Sequence, residues 1–420
     1  MWGDMARRVC EYILCLLATL CWLLPLAVLV LLIQCCRRRP WLERERVVAN
    51  LSGGEMTVWY LSSSWPLVRW APLLLWVLAG KMSLCGWGLR KPGEALPAIA
   101  SGAVPRPAIF SPWLLHQSTR MGVADRESVE AAFCASQSLR GDLSLLLRSL
   151  FALLFFSPLV APQLSERLEL FGIPFANSTQ AEATAVIVGA AASGARGLRA
   201  VFFVNPHCFN LANAREDYRA ALLQADRIYP DGSGVVLACR MLNTPLKENV
   251  NGTDLFPRLC RSAQEQGRSL YLLGGKPGIA ERVKERMTGE FPGLKIVGTQ
   301  HGYFNFEEDS ARVIAAVNAA QPDILLVAFG VPLQELWLIE HRDELRVPVR
   351  LAVGGLFDFY SGAIRRAPLW LREMGLEWVF RLMLEPRRMF RRYVIGNPKF
   401  LLAVWRYGRR LERSGGNAAG

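Results

Sequence analysis

From Arg199 onward, five short apolar runs rich in β-branched residues alternate with stretches of helical pattern. The runs are AVFFVN (from Ala200), SLYLL (from Ser269), KIVG (from Lys295), DILLVAF (from Asp323) and VRLAV (from Val349). Helical periodicity lies between them, as in Pro277–Met287, with proline at a first helical position, and Leu333–Glu344. A strand buried on both faces shows no polar alternation, and strands alternating with helices pack as a mostly parallel sheet covered by helices. Such sheets bind ligands beyond the carboxyl ends of their strands. Asn205 follows the first run, Gly274-Gly275 the second, Gln334 and Glu335 the fourth, and Gly355 and Asp358 the fifth.

The two ends of the chain have different character. Tyr12–Ile33 is a run of 22 residues without charge, long enough to cross a bilayer core. Pro25 interrupts it, and Arg7-Arg8 and Arg37-Arg38-Arg39 flank it on both sides. Proline kinks a helix, and basic flanks stay cytoplasmic, so a re-entrant helical hairpin satisfies both features, with a single crossing as the alternative. At the other end, Ile364–Gly420 holds thirteen Arg and Lys against four acids, +9 of the chain's +13. Guanidinium groups pair with phosphate oxygens in two-pronged fashion, and interleaved aromatics suit a membrane interface. A diphosphate ligand at a membrane surface would use both.

Several residue types exclude whole classes. Ten cysteines without a CxxC, several inside apolar stretches, read as buried free thiols. Four scattered histidines without HxxxH or HExxH give no metal spacing, and there is no DxD. Neither GxGxxG nor a P-loop occurs, so no cofactor is expected. Basic residues interleaved with apolar ones, without a recognition motif, argue against nucleic acid.

Individual candidates remain two-sided at the level of sequence. Asp231, in YPDGSGVV, stands before a helical run as either an acid/base group or an N-cap. Gly274-Gly275 reads as phosphate contact or as turn chemistry. The Gln334 amide can donate and accept, as sugar hydroxyls require, or lie on a helix surface. Asp358, between Phe357 and Phe359, suits a nucleotide contact or a structural ion pair.

The motifs NPHCFNLA, ADRIYPDGSGVV, GTDLF, LYLLGG, VGTQHGYF, VAFGVPLQELW, GGLFDF, RRAPLW, GLEW and EPRR occur in this order over about Phe202–Arg392. Together they resemble the WecG/TagA/CpsF glycosyltransferases. The resemblance implies transfer of a sugar from a UDP-sugar to a polyprenyl-diphosphate-linked saccharide in bacterial surface polysaccharide synthesis, with N-acetylmannosamine, its uronic acid or glucose as donors. It also implies Asp231 as general base, Gln334 at an active-site position, and a C-terminal segment that closes over the site and supplies arginines: here Arg387, Arg388, Arg391 and Arg392. Leaving-group charge would then be met by arginine, giving an inverting, metal-independent enzyme. The chain departs from the family pattern at Phe203 (for Thr), His207 (for an acid) and Asn249 (for Arg), so the sugar cannot be carried over.

The first 157 residues more weakly resemble monotopic phosphoglycosyl transferases: the apolar helix with its central proline, GKMSLCG at Gly80 and LRGDLSLLLRSLFALL at Leu139. Where that family carries an Asp-Glu pair this chain has Arg69 and Trp70, and neither can act as the nucleophile. An inactive docking module is expected. The whole reads as a Rossmann-like α/β domain (200–363) with an N-terminal helical membrane-associated module (1–157), a linker region (158–199) and a basic C-terminal helical appendage (364–420). Anionic lipid at the cytoplasmic face of the inner membrane is an expected partner, a homo-oligomer is compatible, and a non-catalytic membrane scaffold is the competing reading.

Overall fold

The computed structural model describes residues 9–16, 42–61, 66–98, 106–121, 126–155, 165–192, 198–244 and 246–416. They fall into two compact units, Met1–Pro162 and Gln163–Gly420.

The first unit is mixed rather than all helical. β1 (Leu42–Val48) and β2 (Glu55–Leu61) form an antiparallel hairpin, and β3 (Ser83–Cys85), β4 (Trp87–Gly88) and β5 (Pro107–Phe110) form a small parallel sheet in the order β3–β5–β4. Helices α1 (Pro112–Thr119), α2 (Arg126–Ala135) and α3 (Leu139–Phe155) follow. These strands escape a sequence reading because LERERVV holds four charges in a row, EMTVWYL leaves three of its residues exposed, and β3, β4 and β5 have only two to four residues. Leu73, Val77, Leu84, Leu115 and Leu145 share one apolar core. Beside it the buried Glu130 is held by Arg90, at 2.7 Å, and by the Gly88 N–H, at 2.9 Å, so its charge is compensated. Arg69 pairs with Glu43 and lies over the Tyr60 ring. Residues 9–16 are helical, but the rest of the expected re-entrant segment and its basic flanks lie outside the described residues. No helix among the described residues is long and apolar enough to cross a membrane.

In the second unit, six parallel strands form one sheet in the order β11–β10–β12–β13–β8–β9. They are β8 (Val201–Val204), β9 (Arg227–Pro230), β10 (Ser269–Gly274), β11 (Lys295–Gln300), β12 (Ile324–Ala328) and β13 (Val349–Ala352). All five expected strands are present. The sixth, β9, is four residues long and ends on Pro230, too short for a periodic signal. Every residue of β8, β10, β12 and β13 is buried, which accounts for their unbroken apolar runs.

Helices α4 (Gln180–Ala192), α8 (Gly252–Glu265), α9 (Ile279–Glu290) and α12 (Leu356–Tyr360) pack into one core cluster with the sheet. Between β8 and α8 the chain adds α5 (Pro206–Ala212), α6 (Glu216–Leu223) and α7 (Ser233–Met241), and later α10 (Ser310–Ala320) and α11 (Leu333–Glu340). Trp337 on α11 donates to the Ser310 hydroxyl at 2.9 Å, joining α10 and α11. Helix α9 starts two residues after Pro277, because Gly278 at φ +81° breaks the backbone before it.

Residues 158–199 are more than a linker. They hold the hairpin β6 (Arg167–Leu170) and β7 (Ile173–Ala176), and α4, whose Ala183, Ile187, Val188 and Ala191 are buried against α8. The alanine-rich sequence suggests a spacer, yet small side chains also let two helices approach closely.

The basic C-terminal segment is helical: α13 (Leu369–Glu373), α14 (Glu377–Leu384), α15 (Pro386–Phe390), a π-helical turn (Arg391–Ile395) and α16 (Gly396–Gly416). It is firmly seated. Asp254, in the first turn of α8, accepts Arg366 at 2.6 Å and Arg372 at 3.5 Å. Phe400 and Val404 of α16 are fully buried, and Phe400 packs in an aromatic cluster with Phe171 and Phe209 that Tyr407 extends. The Asn210 amide donates to the Gly396 carbonyl at 2.8 Å.

Candidate active site

The carboxyl ends of β8, β9, β10, β12 and β13 open on one side of the sheet, and the C-terminal segment supplies the cations above them. Asp231 is the first residue after β9. Its N–H donates to the Val204 carbonyl at 2.8 Å, which fixes the strand end beside β8. The N-cap of α7 is Gly232, with no side-chain cap bond, so Asp231 is free of the capping role. Two glycines shape the turn: Gly232 has φ +92°, and a Cβ on Gly234 would lie 2.4 Å from Pro206 Cγ. The starts of α5 and α7 can therefore approach each other only with glycine at position 234.

Asn205 is the N-cap of α5. Its Oδ1 accepts the N–H groups of His207 (3.0 Å) and Cys208 (3.3 Å), and its amide NH2 hydrogen-bonds the Asp231 carboxylate. Burial pushes the Asp231 carboxyl up to about 6, against the opposing pull of Arg392. Glu377 adds to the rise, while Asn205 and Arg381 oppose it. His207 is driven down to about 4 by burial and by the neighbouring Arg392, so it is neutral at pH 7. A carboxylate close to neutrality, beside a cation and partly shielded from water, is equipped to take a proton at physiological pH.

The opposite rim carries Asp358, half-buried on α12. Burial raises its pKa, opposed by Arg388, Arg381 and Lys276. Arg381 lies over the Phe359 ring at 5.3 Å, and a Cβ on Gly355 would come within 3.0 Å of its guanidinium. Gly355 is thus the gap that lets Arg381 reach the strand ends. Arg388 also pairs with Glu385 at 3.0 Å.

The four expected arginines separate. Arg392 acts through its charge on Asp231 and His207, and Arg388 on Asp358. Arg387, Arg388 and Arg391 are all exposed, and only Arg392 of the four is partly buried. Arg381 was missed by sequence reasoning, because it sits alone in EWVFRLML with only the amphipathic period of α14 to mark it.

Gln334 and Glu335 lie beneath the site rather than facing into it. The Gln334 Oε1 accepts the N–H of Gly330 (3.2 Å) and of Gly354 (2.9 Å), tying the turns after β12 and β13 together. Its Nε2 donates to Glu335 Oε1 at 2.8 Å. Glu335 is fully buried, its other oxygen has no partner, and burial lifts its carboxyl to about 7. Gly274 and Gly275 are likewise engaged in chain packing. A Cβ on Gly274 would meet the Ala328 backbone at 2.5 Å, and the Gly275 N–H already donates to the Ala328 carbonyl at 3.0 Å. No group of three His, Cys, Asp or Glu side chains among the described residues could hold a metal ion.

Comparison with known proteins identifies the family of the second unit. Residues 168–414 match the Glycosyl transferase WecG/TagA/CpsF family. The chain is 35% identical over 201 residues to the N-acetylglucosaminyldiphosphoundecaprenol N-acetyl-beta-D-mannosaminyltransferase of Bacillus subtilis (strain 168), covering 48% of this chain and 77% of that protein. It is 26% identical over 248 residues to the protein of the same name from Staphylococcus aureus (strain NCTC 8325), covering 59% of this chain and 96% of that protein. The match spans both the sheet and the arginine-bearing C-terminal helices, so this chain belongs to the WecG/TagA/CpsF family of glycosyl transferases.

Proposed function

We propose that the second unit transfers a sugar from a UDP-sugar to a polyprenyl-diphosphate-linked saccharide by direct, inverting displacement without a metal. Asp231 accepts the proton of the acceptor hydroxyl as its oxygen bonds to the anomeric carbon. The bond from that carbon to the diphosphate oxygen breaks, and UDP leaves. Arg392, Arg381 and Arg388 neutralise the charge that develops on the diphosphate, the task a bound cation performs elsewhere. The observation that carries this reading is Asp231 at a strand end, its carboxyl raised to about 6 by burial against the opposing charge of Arg392 from the C-terminal segment.

The names of the relatives support N-acetylmannosamine as the sugar and an N-acetylglucosaminyl diphospholipid as the acceptor. Phe203 pairs with Tyr229 of β9, His207 follows Asn205 on α5, and Asn249 accepts the Gly232 N–H beside Asp231, so the uronic acid and glucose remain donors to test. Attachment at the cytoplasmic face of the inner membrane is part of the same proposal. It is supported by the apolar N-terminal run and by exposed Met383, Phe390, Ile395 and Trp405 among the arginines of the C-terminal helices. Unit one, with Arg69 engaged by Glu43, is proposed to anchor without transferring phosphosugar.

The deciding experiment incubates the purified full chain with UDP-N-acetylmannosamine, UDP-N-acetylmannosaminuronic acid and UDP-glucose, each with an N-acetylglucosaminyl diphospholipid. Mass spectrometry then identifies the product. A disaccharide lipid that depends on Asp231 is the expected result, and UDP release without lipid glycosylation would refute the acceptor assignment.

A further inference from the structure

We propose that Asn249 is a positioning residue for the base, holding the Asp231 turn in its productive shape from the loop that precedes α8. The Asn249 Oδ1 accepts the Gly232 N–H at 2.7 Å. Gly232 is the residue at φ +92° directly after Asp231, so this bond fixes the least constrained backbone of the turn. The other strut is the Asp231 N–H on the Val204 carbonyl, at 2.8 Å. Asp231 is therefore held on both sides, by β8 before it and by Asn249 after it.

Asn249 is itself anchored. Its backbone carbonyl accepts the amide of Gln180 at 3.2 Å, and the Gln180 N–H donates to its neighbour Glu248 at 2.8 Å. Gln180 is buried at the first turn of α4. A chain of contacts thus runs from α4 through Gln180 and Asn249 to Gly232 and the base. The acceptor chemistry is what matters at this position: an arginine at 249 would have no hydrogen-bond acceptor in its side chain and could not take the Gly232 N–H.

This inference rests on Asp231 being the base, and its test separates the two. The groups that face Asp231 are Arg392 on the π-turn, Glu377 and Arg381 on α14, and Asn205 on α5, with His207 also on α5 beside Arg392. None is altered by the variants. In the full chain, Asn249→Ala removes the acceptor, and Asn249→Asp keeps it while adding a negative charge next to the turn. Turnover is measured with UDP-N-acetylmannosamine and an N-acetylglucosaminyl diphospholipid from pH 5 to 9. Asn249→Ala is expected to lower kcat by roughly 10- to 100-fold with the donor KM within about threefold, the effect of a base displaced by about 1 Å. Asn249→Asp should recover kcat to within about threefold at alkaline pH, with the acid limb moved to higher pH.

A second readout needs no substrate. The pH at which the stability gain from Asp231→Asn reaches its plateau, set by the folded-state carboxyl, should lie higher in the Asn249→Asp background than in wild type. Asn249→Ala with wild-type kcat, or Asn249→Asp with neither rescue nor a moved midpoint, would overturn the proposal. If Asn249→Ala does not fold, the Asn249→Asp midpoint decides alone. Wild-type turnover by Asp231→Asn would instead sink the assignment of the base.

Discussion

The environment of Asp231 predicts that the substitution which stops the chemistry also strengthens the fold. Burial lifts the carboxyl from an ordinary 3.8 to about 6, so the folded chain carries an ionised group in a place that disfavours charge. With each tenfold change in proton affinity worth about 1.4 kcal/mol, the cost at alkaline pH is at most about 3 kcal/mol, and water in the open cleft reduces it to roughly 1–3 kcal/mol. A carboxyl raised on folding costs nothing below its unfolded value. The cost grows as pH rises from 3.8 to about 6 and is complete above that. Asp231→Asn keeps an oxygen to accept the Asn205 amide and removes the charge. It should raise unfolding stability at pH 8 by that amount, and by only about a third as much at pH 4.5. Reversible urea unfolding at the two pH values, beside turnover at pH 8, measures both effects. Turnover should fall by roughly 10²–10⁴-fold, as for loss of a general base. A variant no more stable than wild type at pH 8, or one with an equal gain at pH 4.5, would refute the electrostatic account.

Wild-type kcat/KM should fall about tenfold between pH 7 and pH 5 as Asp231 protonates, and Arg392→Gln should move that acid limb to higher pH by removing an opposing cation. Arg381→Ala and Arg392→Ala should each lower kcat at least tenfold more than Arg387→Ala, whose side chain is exposed; steady-state kinetics on the three variants makes the comparison. Phe400→Ala removes a fully buried ring and should cost about 3–5 kcal/mol in urea unfolding, while limited proteolysis should show α16 newly accessible. Residues 1–162 alone should transfer no sugar phosphate from any UDP-sugar to undecaprenyl phosphate, and radiolabelled product in that assay would overturn the reading of Arg69 and Trp70.

The sheet was legible because β8, β10, β12 and β13 are buried on both faces and so carry uninterrupted apolar runs. The same logic failed for β9 and for the strands of the first unit, which are too short or too exposed for a pattern to accumulate. Asp231 was recognisable from two glycines and a family motif, and the structure accounts for both glycines: one for backbone angle, the other for the approach of Pro206. What could not be read was which arginines turn inward. Arg387, Arg388, Arg391 and Arg392 look equivalent as sequence, yet a π-helical turn begins at Arg391 and changes the angular spacing after it. Glu335 and Gln334 were readable as a polar pair near a strand end. Their burial beneath it depends on the turns after β12 and β13, which lie 20 residues or more apart in sequence.

The aromatic cluster around Phe400 has a consequence for how the protein is made. Phe171, near the start of the second unit, waits for Phe400 and Tyr407, near the end of the chain. All six strands have been synthesised by Ala352, so the sheet can begin to assemble before α16 emerges from the ribosome. The hairpin β6–β7 and the cleft remain uncovered during that interval, with Phe171 and Phe209 open to solvent or chaperone. Seating of the arginine-bearing helices thus follows formation of the sheet, and a nascent chain stalled before α16 would carry a formed sheet without the Phe400 anchor that holds those helices.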